Sequence, residues 1–137
     1  MNKKKKIDER FKNFIKKRVK YILSRCDLSS YTYKFIFSDS EYGDSGKTNG
    51  LIEAEIDILP EYQSFTLTIY QALEEKYKCG NRSDVDDVLC HEMGHLHTEK
   101  LCNLSGEPYK TEQEVKKVNE ELVTKIGNYL YYIINHQ

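Results

Sequence analysis

Apolar residues recur every three or four positions in the first part of the chain, and Lys and Arg fill most of the positions between them. This spacing places the apolar side chains on one side of a helix, so the pattern predicts an amphipathic α-helix over residues 7–26. The apolar positions are Ile7, Phe11, Phe14, Ile15, Val19, Ile22, Leu23 and Cys26.

Three later segments alternate between apolar and polar residues, which is the pattern of a β-strand with one buried face. They are residues 31–38, 52–58 and 64–70. Residues 40–50, between the first two strands, are rich in Gly, Ser and Asp and indicate a loop. Pro60 is expected to end the second strand or to mark a sheet edge, because proline cannot donate a ladder hydrogen bond.

Two more helices are predicted in the second half. Ser83 and Asp86 have the spacing of a capping box, so a helix is expected from Ser83 to about Leu101. Thr111 and Glu114 have the same spacing ahead of a second apolar stripe, which predicts the last helix. The order helix, three strands, helix, helix predicts an α+β fold in a single domain over residues 1–137. The second stripe consists of Val115, Val118, Leu122, Ile126, Leu130 and Ile133.

Composition favours a soluble globular protein, with 39% hydrophobic and 31% charged residues in 137. The longest apolar run, residues 129–134, is too short to cross a bilayer, so no membrane partner is expected. The four cysteines form no C-x-x-C pair, and no apolar leader follows the basic first residues. We therefore expect reduced thiols and a cytoplasmic location.

Charge is divided unevenly along the chain. Residues 1–26 carry a net charge of +9, and the remaining residues carry −10. A basic arm of this kind can contact nucleic acid or an anionic membrane surface. The polar face of the first helix has no aromatic stacking pattern, so the sequence favours a solvated face over a nucleic-acid surface.

The chemistry is concentrated in His91-Glu92-Met93-Gly94-His95, which fits the pattern H-E-x-x-H. Residues four apart on a helix share a face, so the two imidazoles can bind one Zn²⁺ ion. Glu92 then lies beside the metal and can accept a proton from a water molecule as it attacks a carbonyl carbon. Gly94 is expected to let another segment approach the helix closely.

A third metal ligand is required, and the last helix is expected to supply it. Glu112 lies on the margin of the predicted apolar stripe and is the first choice. Glu114 is the alternative, although its capping role already explains it. Glu120 and Glu121 are predicted to project further toward solvent, and Asn119 could hydrogen-bond a ligand.

Residues 88–97, VLCHEMGHLH, and residues 112–118, EQEVKKV, together resemble the gluzincin branch of the zincins. The chain is most similar to the minimal zincin-like metallopeptidases common in phages and mobile elements, over about residues 31–130. The resemblance implies a minimal zincin fold, with a glutamate on the closing helix as third ligand. It also implies that residues 62–70 form the sheet edge above the metal. Asn119 departs from the family pattern, which usually has a small apolar residue there.

The expected function is that of a zinc-dependent metallopeptidase acting on a peptide or protein substrate. An extended peptide is expected to pair with the strand around residues 65–70. Two alternatives stay open: a zinc-binding regulator that cleaves nothing, and a nucleic-acid-associated protein acting through its basic first helix. Other divalent ions suit the same ligands.

Overall fold

The computed structural model describes residues 6–26, 28–44, 51–104 and 112–136. Within these ranges, the side chains of residues 44, 60, 100–104, 112–115 and 118 are not described. The helices are α1 (Glu9–Arg25), α2 (Gln71–Lys78), α3 (Arg82–Leu104) and α4 (Glu112–Asn135), and a short 3-10 helix spans Pro60–Tyr62. The strands are β1 (Thr32–Phe37), β2 (Gly43–Asp44), β3 (Leu51–Ile52), β4 (Ala54–Leu59) and β5 (Ser64–Ile69). The predicted α+β class is confirmed.

The main sheet has three strands in the order β1-β5-β4. β5 runs parallel to β1 and antiparallel to β4. The expectation that residues 62–70 form a sheet edge is therefore wrong, because β5 is the central strand. The edge near Pro60 is β4, as the proline indicated. β2 and β3 form a separate two-stranded ribbon.

The sheet buries one face against the helices. Phe65, Leu67 and Ile69 alternate along β5 and are all buried. The register places Ile56 of β4 opposite Leu67, so the apolar residues of the two strands share this face. The strand thus supplies the centre of a core that also includes side chains of all four helices.

α1 lies against this core along the apolar stripe that its sequence predicts. The predicted bounds 7–26 agree closely with Glu9–Arg25, and Asp8 caps the first turn by accepting a hydrogen bond from the Arg10 backbone N–H. The Arg18 guanidinium donates two hydrogen bonds to the Asp86 carboxylate of α3, at 2.6 and 2.8 Å. Asp86 is only 7% exposed, so this ion pair fixes α1 against α3.

α2 is absent from the sequence prediction. The helix is eight residues long, and its preceding residue, Tyr70, makes no side-chain capping hydrogen bond. It therefore lacks both the length and the capping signal that reveal a helix in a sequence. The start of α3 also differs: it begins at Arg82, and Asp86 pairs with Arg18 instead of closing a capping box with Ser83.

α3 and α4 pack antiparallel at very close range. A Cβ atom built on Gly94 would lie 3.2 Å from the Val123 carbonyl oxygen, and one built on Gly127 would lie 3.0 Å from the His91 Cα. The expectation that Gly94 permits a close approach is confirmed, and Gly127 does the same from the other helix. Among the described residues, no helix is long and apolar enough to cross a membrane.

Candidate metal centre

His91 and His95 lie one turn apart near the middle of α3, as their spacing predicts. Their ring centroids are 5.3 Å apart and the ring planes are nearly perpendicular, at 86°. The His91 side chain is 36% exposed and that of His95 is 16% exposed. The helix therefore presents two imidazoles from one face, one of them close to the core and one reachable from solvent.

Glu120 of α4 completes a three-residue cluster. One of its carboxylate oxygens lies 3.6 Å from His91 Nε2, and the other lies 3.6 Å from His95 Nε2. The three ligand atoms that these residues offer all lie within 4.8 Å of one another. Among the described residues this is the cluster whose His, Cys, Asp and Glu atoms could hold a metal ion.

These separations suit a divalent metal. Nitrogen and oxygen ligands about 2.0–2.1 Å from a tetrahedral zinc ion lie roughly 3.4 Å apart from each other. The observed 3.6 Å separations, one to each oxygen of the Glu120 carboxylate, are close to that value. Two neutral imidazoles and one carboxylate form the ligand set of the catalytic zinc class that keeps a fourth position for water.

Glu120 is the carboxylate that lies beside the imidazoles among the described side chains. The side chains of Glu112 and Glu114 lie outside the described residues, so ligation by Glu112, with Glu114 as the alternative, stays a prediction. Glu120 is exposed, with 59% of its side chain accessible, as the helical wheel indicated. Exposure does not remove it from the site, because the cluster opens on a cleft.

The position of the buried stripe on α4 explains why sequence reasoning set Glu120 aside. That reasoning placed Leu122 on the core face, but Leu122 is 41% exposed, and Val123 is fully buried in its place. The true buried face is rotated by about one residue and runs through Val123, Gly127 and Leu130. Glu120 lies three and seven residues before two of these positions, which puts it on the margin facing α3. Gly127 is the sequence signal that could have revealed Glu120, because this glycine lies on the face of α4 that touches α3.

Glu92 contacts β4 and lines the same cleft as the three candidate ligands. Its carboxylate accepts a hydrogen bond from the Ile56 backbone N–H. Burial raises its pKa to about 8, and the negative charges of Glu120 and Glu55 act in the same direction. A dication bound beside it would favour the ionised form, because an opposite charge lowers a carboxyl pKa.

The imidazole of His95 is held in its neutral form. Burial lowers its pKa, the Glu120 carboxylate opposes this effect, and His91 adds to it. A neutral imidazole is the form that coordinates a metal ion, so this environment prepares His95 as a ligand at neutral pH.

A cleft of about 700 Å³ runs between β4 and the cluster. A second cavity of about 340 Å³ adjoins it and shares four lining residues with it: Ile52, Ala54, His91 and Glu92. The candidate ligands and Glu92 thus lie on the floor of a continuous groove, where a substrate could reach them.

One wall of the cleft is the outer edge of β4, which pairs with no other strand among the described residues. The Tyr70 backbone N–H donates to the Glu53 carbonyl oxygen, next to the Ala54–Ile69 pair of the β4–β5 ladder. This bond shows that the backbone groups of Glu53, and of every second residue after it, face β5. Hydrogen-bonded residues alternate along an antiparallel strand, so the backbone groups of Ala54, Ile56 and Ile58 face away from β5. The hydrogen bond from the Ile56 N–H to Glu92 agrees with this phase.

Other candidate residues lie outside the cluster. His97 is not part of it, in agreement with its different helix face. Cys26, Cys79 and Cys90 are free thiols, and Cys102 lies outside the described side chains. Asn119 lines the cleft, but its buried Oδ1 has no hydrogen-bond partner in the part of the chain that the structure describes. A hydrogen bond from the Asn119 amide nitrogen to a metal ligand stays a prediction.

Comparison of the chain with protein-family models, with curated proteins and with solved structures finds no match in any of the three.

Proposed function

We propose that this protein is a zinc-dependent metallopeptidase in which His91, His95 and Glu120 hold the metal and Glu92 is the general base. The observation that carries the proposal is the meeting of Glu120, from a separate helix, with both Nε2 atoms of the H-E-x-x-H pair at 3.6 Å. A helix pair chosen only for packing has no reason to bring one carboxylate to two imidazoles at equal distance.

The bound ion would polarise the scissile carbonyl and acidify a water molecule. Zinc is the ion that two imidazoles and one carboxylate fit best, although other divalent ions accept the same ligands. The remaining steps belong to side chains of the chain itself.

Glu92 would move the proton. Its carboxylate takes a proton from the attacking water, the water oxygen bonds to the carbonyl carbon, and Glu92 then gives the proton to the amine as the C–N bond breaks. A carboxyl group that is half-buried has the raised proton affinity that suits both steps.

The substrate would lie along β4. The free backbone groups of Ala54 and Ile58 can pair with an extended peptide, which would then cross the cleft above the cluster. This position replaces the earlier expectation of pairing with β5, whose two sides are both occupied. Free thiols at Cys26 and Cys90 suit a reducing, cytoplasm-like compartment.

The test is hydrolysis of a quenched-fluorescent peptide library by zinc-loaded protein, compared with Glu92→Gln. The variant should retain near-stoichiometric zinc and lose at least about 100-fold in kcat/KM, because general-base catalysis contributes a factor of this order. Glu121→Gln, an exposed neighbour of the cluster on α4, should behave as the unmodified protein.

Equal cleavage by the unmodified protein and Glu92→Gln would refute the assignment of the base. Zinc binding by both without cleavage of any peptide would favour a metal-binding regulator that performs no hydrolysis.

A further inference from the structure

We propose that the outer face of α1 is a docking surface for double-stranded DNA, which it contacts through the phosphate backbone. The proposal concerns a surface separate from the candidate metal centre. It rests on the arrangement and pairing of the basic side chains of α1, which the sequence alone does not reveal.

The exposed side of α1 is strongly basic. Five of its exposed residues are Lys or Arg, and the only exposed acid on the helix is Glu9, in its first turn. At 100° per residue the five basic positions fall within half of the helix circumference. They extend over about 22 Å of helix axis, which spans several phosphates of a DNA strand. These residues are Arg10, Lys16, Lys17, Lys20 and Arg25.

None of these five side chains forms an ion pair within the described residues. The basic side chains of α1 that do have partners are different ones. Lys12 pairs with Glu9, and Arg18 pairs with Asp86. The exposed basic face of α1 is therefore not neutralised by ion pairs with acidic side chains in the described part of the chain.

The positive surface extends beyond the helix. Arg82, the first residue of α3, lies over the rings of Phe14 and Tyr77, at 5.8 and 5.2 Å from their centroids. Phe14 borders the exposed side of α1, so these contacts hold a sixth cation beside the same face. α1 is also rigid, because Arg18 anchors it to α3, and little ordering would be required on binding.

The lack of exposed large apolar side chains on α1 favours a DNA duplex over a lipid bilayer or a single strand as the partner. None of the large hydrophobic residues exposed in the described chain lies on α1, so the helix has nothing to insert into a bilayer. The same absence of exposed aromatic rings disfavours single strands, whose bases need stacking platforms. Apart from Glu9 in the first turn, the exposed face of α1 carries only cationic and small polar side chains, which suit the regular phosphates of a duplex.

DNA bound at α1 would leave the cleft open. No residue of α1 lines the cleft or its neighbouring cavity. Several carboxylates line the cleft, and these would repel phosphates, so the charge distribution orients α1 toward the duplex. Glu55, Asp57, Glu99 and Glu120 are among these residues.

The test is fluorescence anisotropy of a labelled mixed-sequence duplex of about 24 base pairs, titrated with the full chain between about 50 and 200 mM NaCl. The unmodified protein should bind with a slope of log K against log salt of about −3 or steeper. The triple variant Lys16→Gln, Lys17→Gln, Lys20→Gln should weaken binding at the lowest salt by about tenfold or more and reduce the slope by about 2–3.

A matched triple variant, Lys34→Gln, Lys117→Gln, Lys125→Gln, changes net charge equally at exposed sites on β1 and α4 and should bind within about twofold of the unmodified protein. Circular dichroism should show the same helix content for both variants, because Gln is as good a helix former as Lys. The proposal is overturned if both triples weaken binding equally or if the unmodified protein does not bind the duplex at the lowest salt. Tighter binding to phosphatidylglycerol vesicles than to the duplex would also overturn it.

Discussion

At the scale of single residues, Glu92 is the group of the site whose pKa its surroundings raise, to about 8. It is half-buried, it faces the charges of Glu120 and Glu55, and its carboxylate has a hydrogen bond from the Ile56 N–H. Its folded pKa of about 8 lies above the ordinary 4.5, so the folded metal-free protein retains a proton that the unfolded chain loses. Stability should therefore fall as pH rises from about 4.5 to 8.

This environment predicts a pH-dependent effect of Glu92→Gln on metal-free protein. At pH 5 both proteins carry a neutral group and should unfold at similar urea concentrations. At pH 9 the variant should be more stable by about 2–5 kcal/mol, because it has no buried charge to form. Urea unfolding in a chelator measures this difference, with Glu121→Gln as control. A stability difference that is the same at both pH values would contradict the account of Glu92.

The residues of the H-E-x-x-H motif were predictable because a single helix fixes their geometry. Once a helix is assigned, positions 91 and 95 must share a face, and no other element is needed. Glu120 was not predictable in this way, since its place depends on how α4 is rotated against α3. The apolar pattern placed Leu122 on the buried stripe, but Val123 is buried there, and this one-residue rotation brings Glu120 to the margin that faces α3.

At the scale of elements, the site depends on the close contact of α3 with α4. Gly94 and Gly127 remove side chains where the helices touch, and Gly127 meets the backbone of His91 itself. The distance from Glu120 to the imidazoles is therefore set by the same contact that packs the helices.

Gly127→Ala should disturb the metal centre without touching a ligand. Its Cβ would lie 3.0 Å from the His91 Cα and 3.2 Å from the His91 nitrogen, which are backbone atoms that cannot rotate away. We expect a loss of about 1–3 kcal/mol in stability and about tenfold or more in zinc affinity, measured by unfolding and by competition with a chelating dye. Lys125→Ala, at an exposed position on the same helix, is the control. Unchanged zinc affinity in Gly127→Ala would show that the helix contact does not set the site.

For the strands, the hydrophobic pattern predicts position along the chain but not order in the sheet. Alternation located β1, β4 and β5 within one or two residues, because successive side chains of a strand point to opposite faces of the sheet. It did not reveal their order, since an edge strand and a central strand can show the same alternation. Only the pairing of β5 on both sides identifies β1 and β4 as the two edge strands of the sheet.

At the scale of the whole molecule, one buried ion pair joins the basic helix to the helix that carries the site. Arg18 bonds Asp86 through two nitrogens, and the side chains are 23% and 10% exposed. Asp86 lies five residues before His91, so α1 supports the element that carries the candidate ligands. The order of the predicted elements was correct, but long-range pairs such as this one leave no signal in a single sequence.

Arg18→Met should destabilise the fold by about 3–5 kcal/mol, because it leaves the Asp86 carboxylate buried without a partner. Lys12→Met, which breaks the exposed pair with Glu9, should cost less than about 1 kcal/mol. Urea unfolding of the two variants compares a buried with an exposed ion pair on one helix. Equal small losses would show that α1 is held by its apolar face alone.

The central claim is that two imidazoles of α3 and one carboxylate of α4 hold a divalent metal. The most direct test is the zinc content of purified protein by mass spectrometry, in the unmodified chain and in His95→Ala, Glu120→Ala, Glu112→Ala and Glu121→Ala. We expect about one zinc per chain in the unmodified protein, Glu112→Ala and Glu121→Ala, and strong loss of zinc in His95→Ala and Glu120→Ala. Full zinc in Glu120→Ala with loss in Glu112→Ala would contradict it, as would an unmodified protein that binds no zinc.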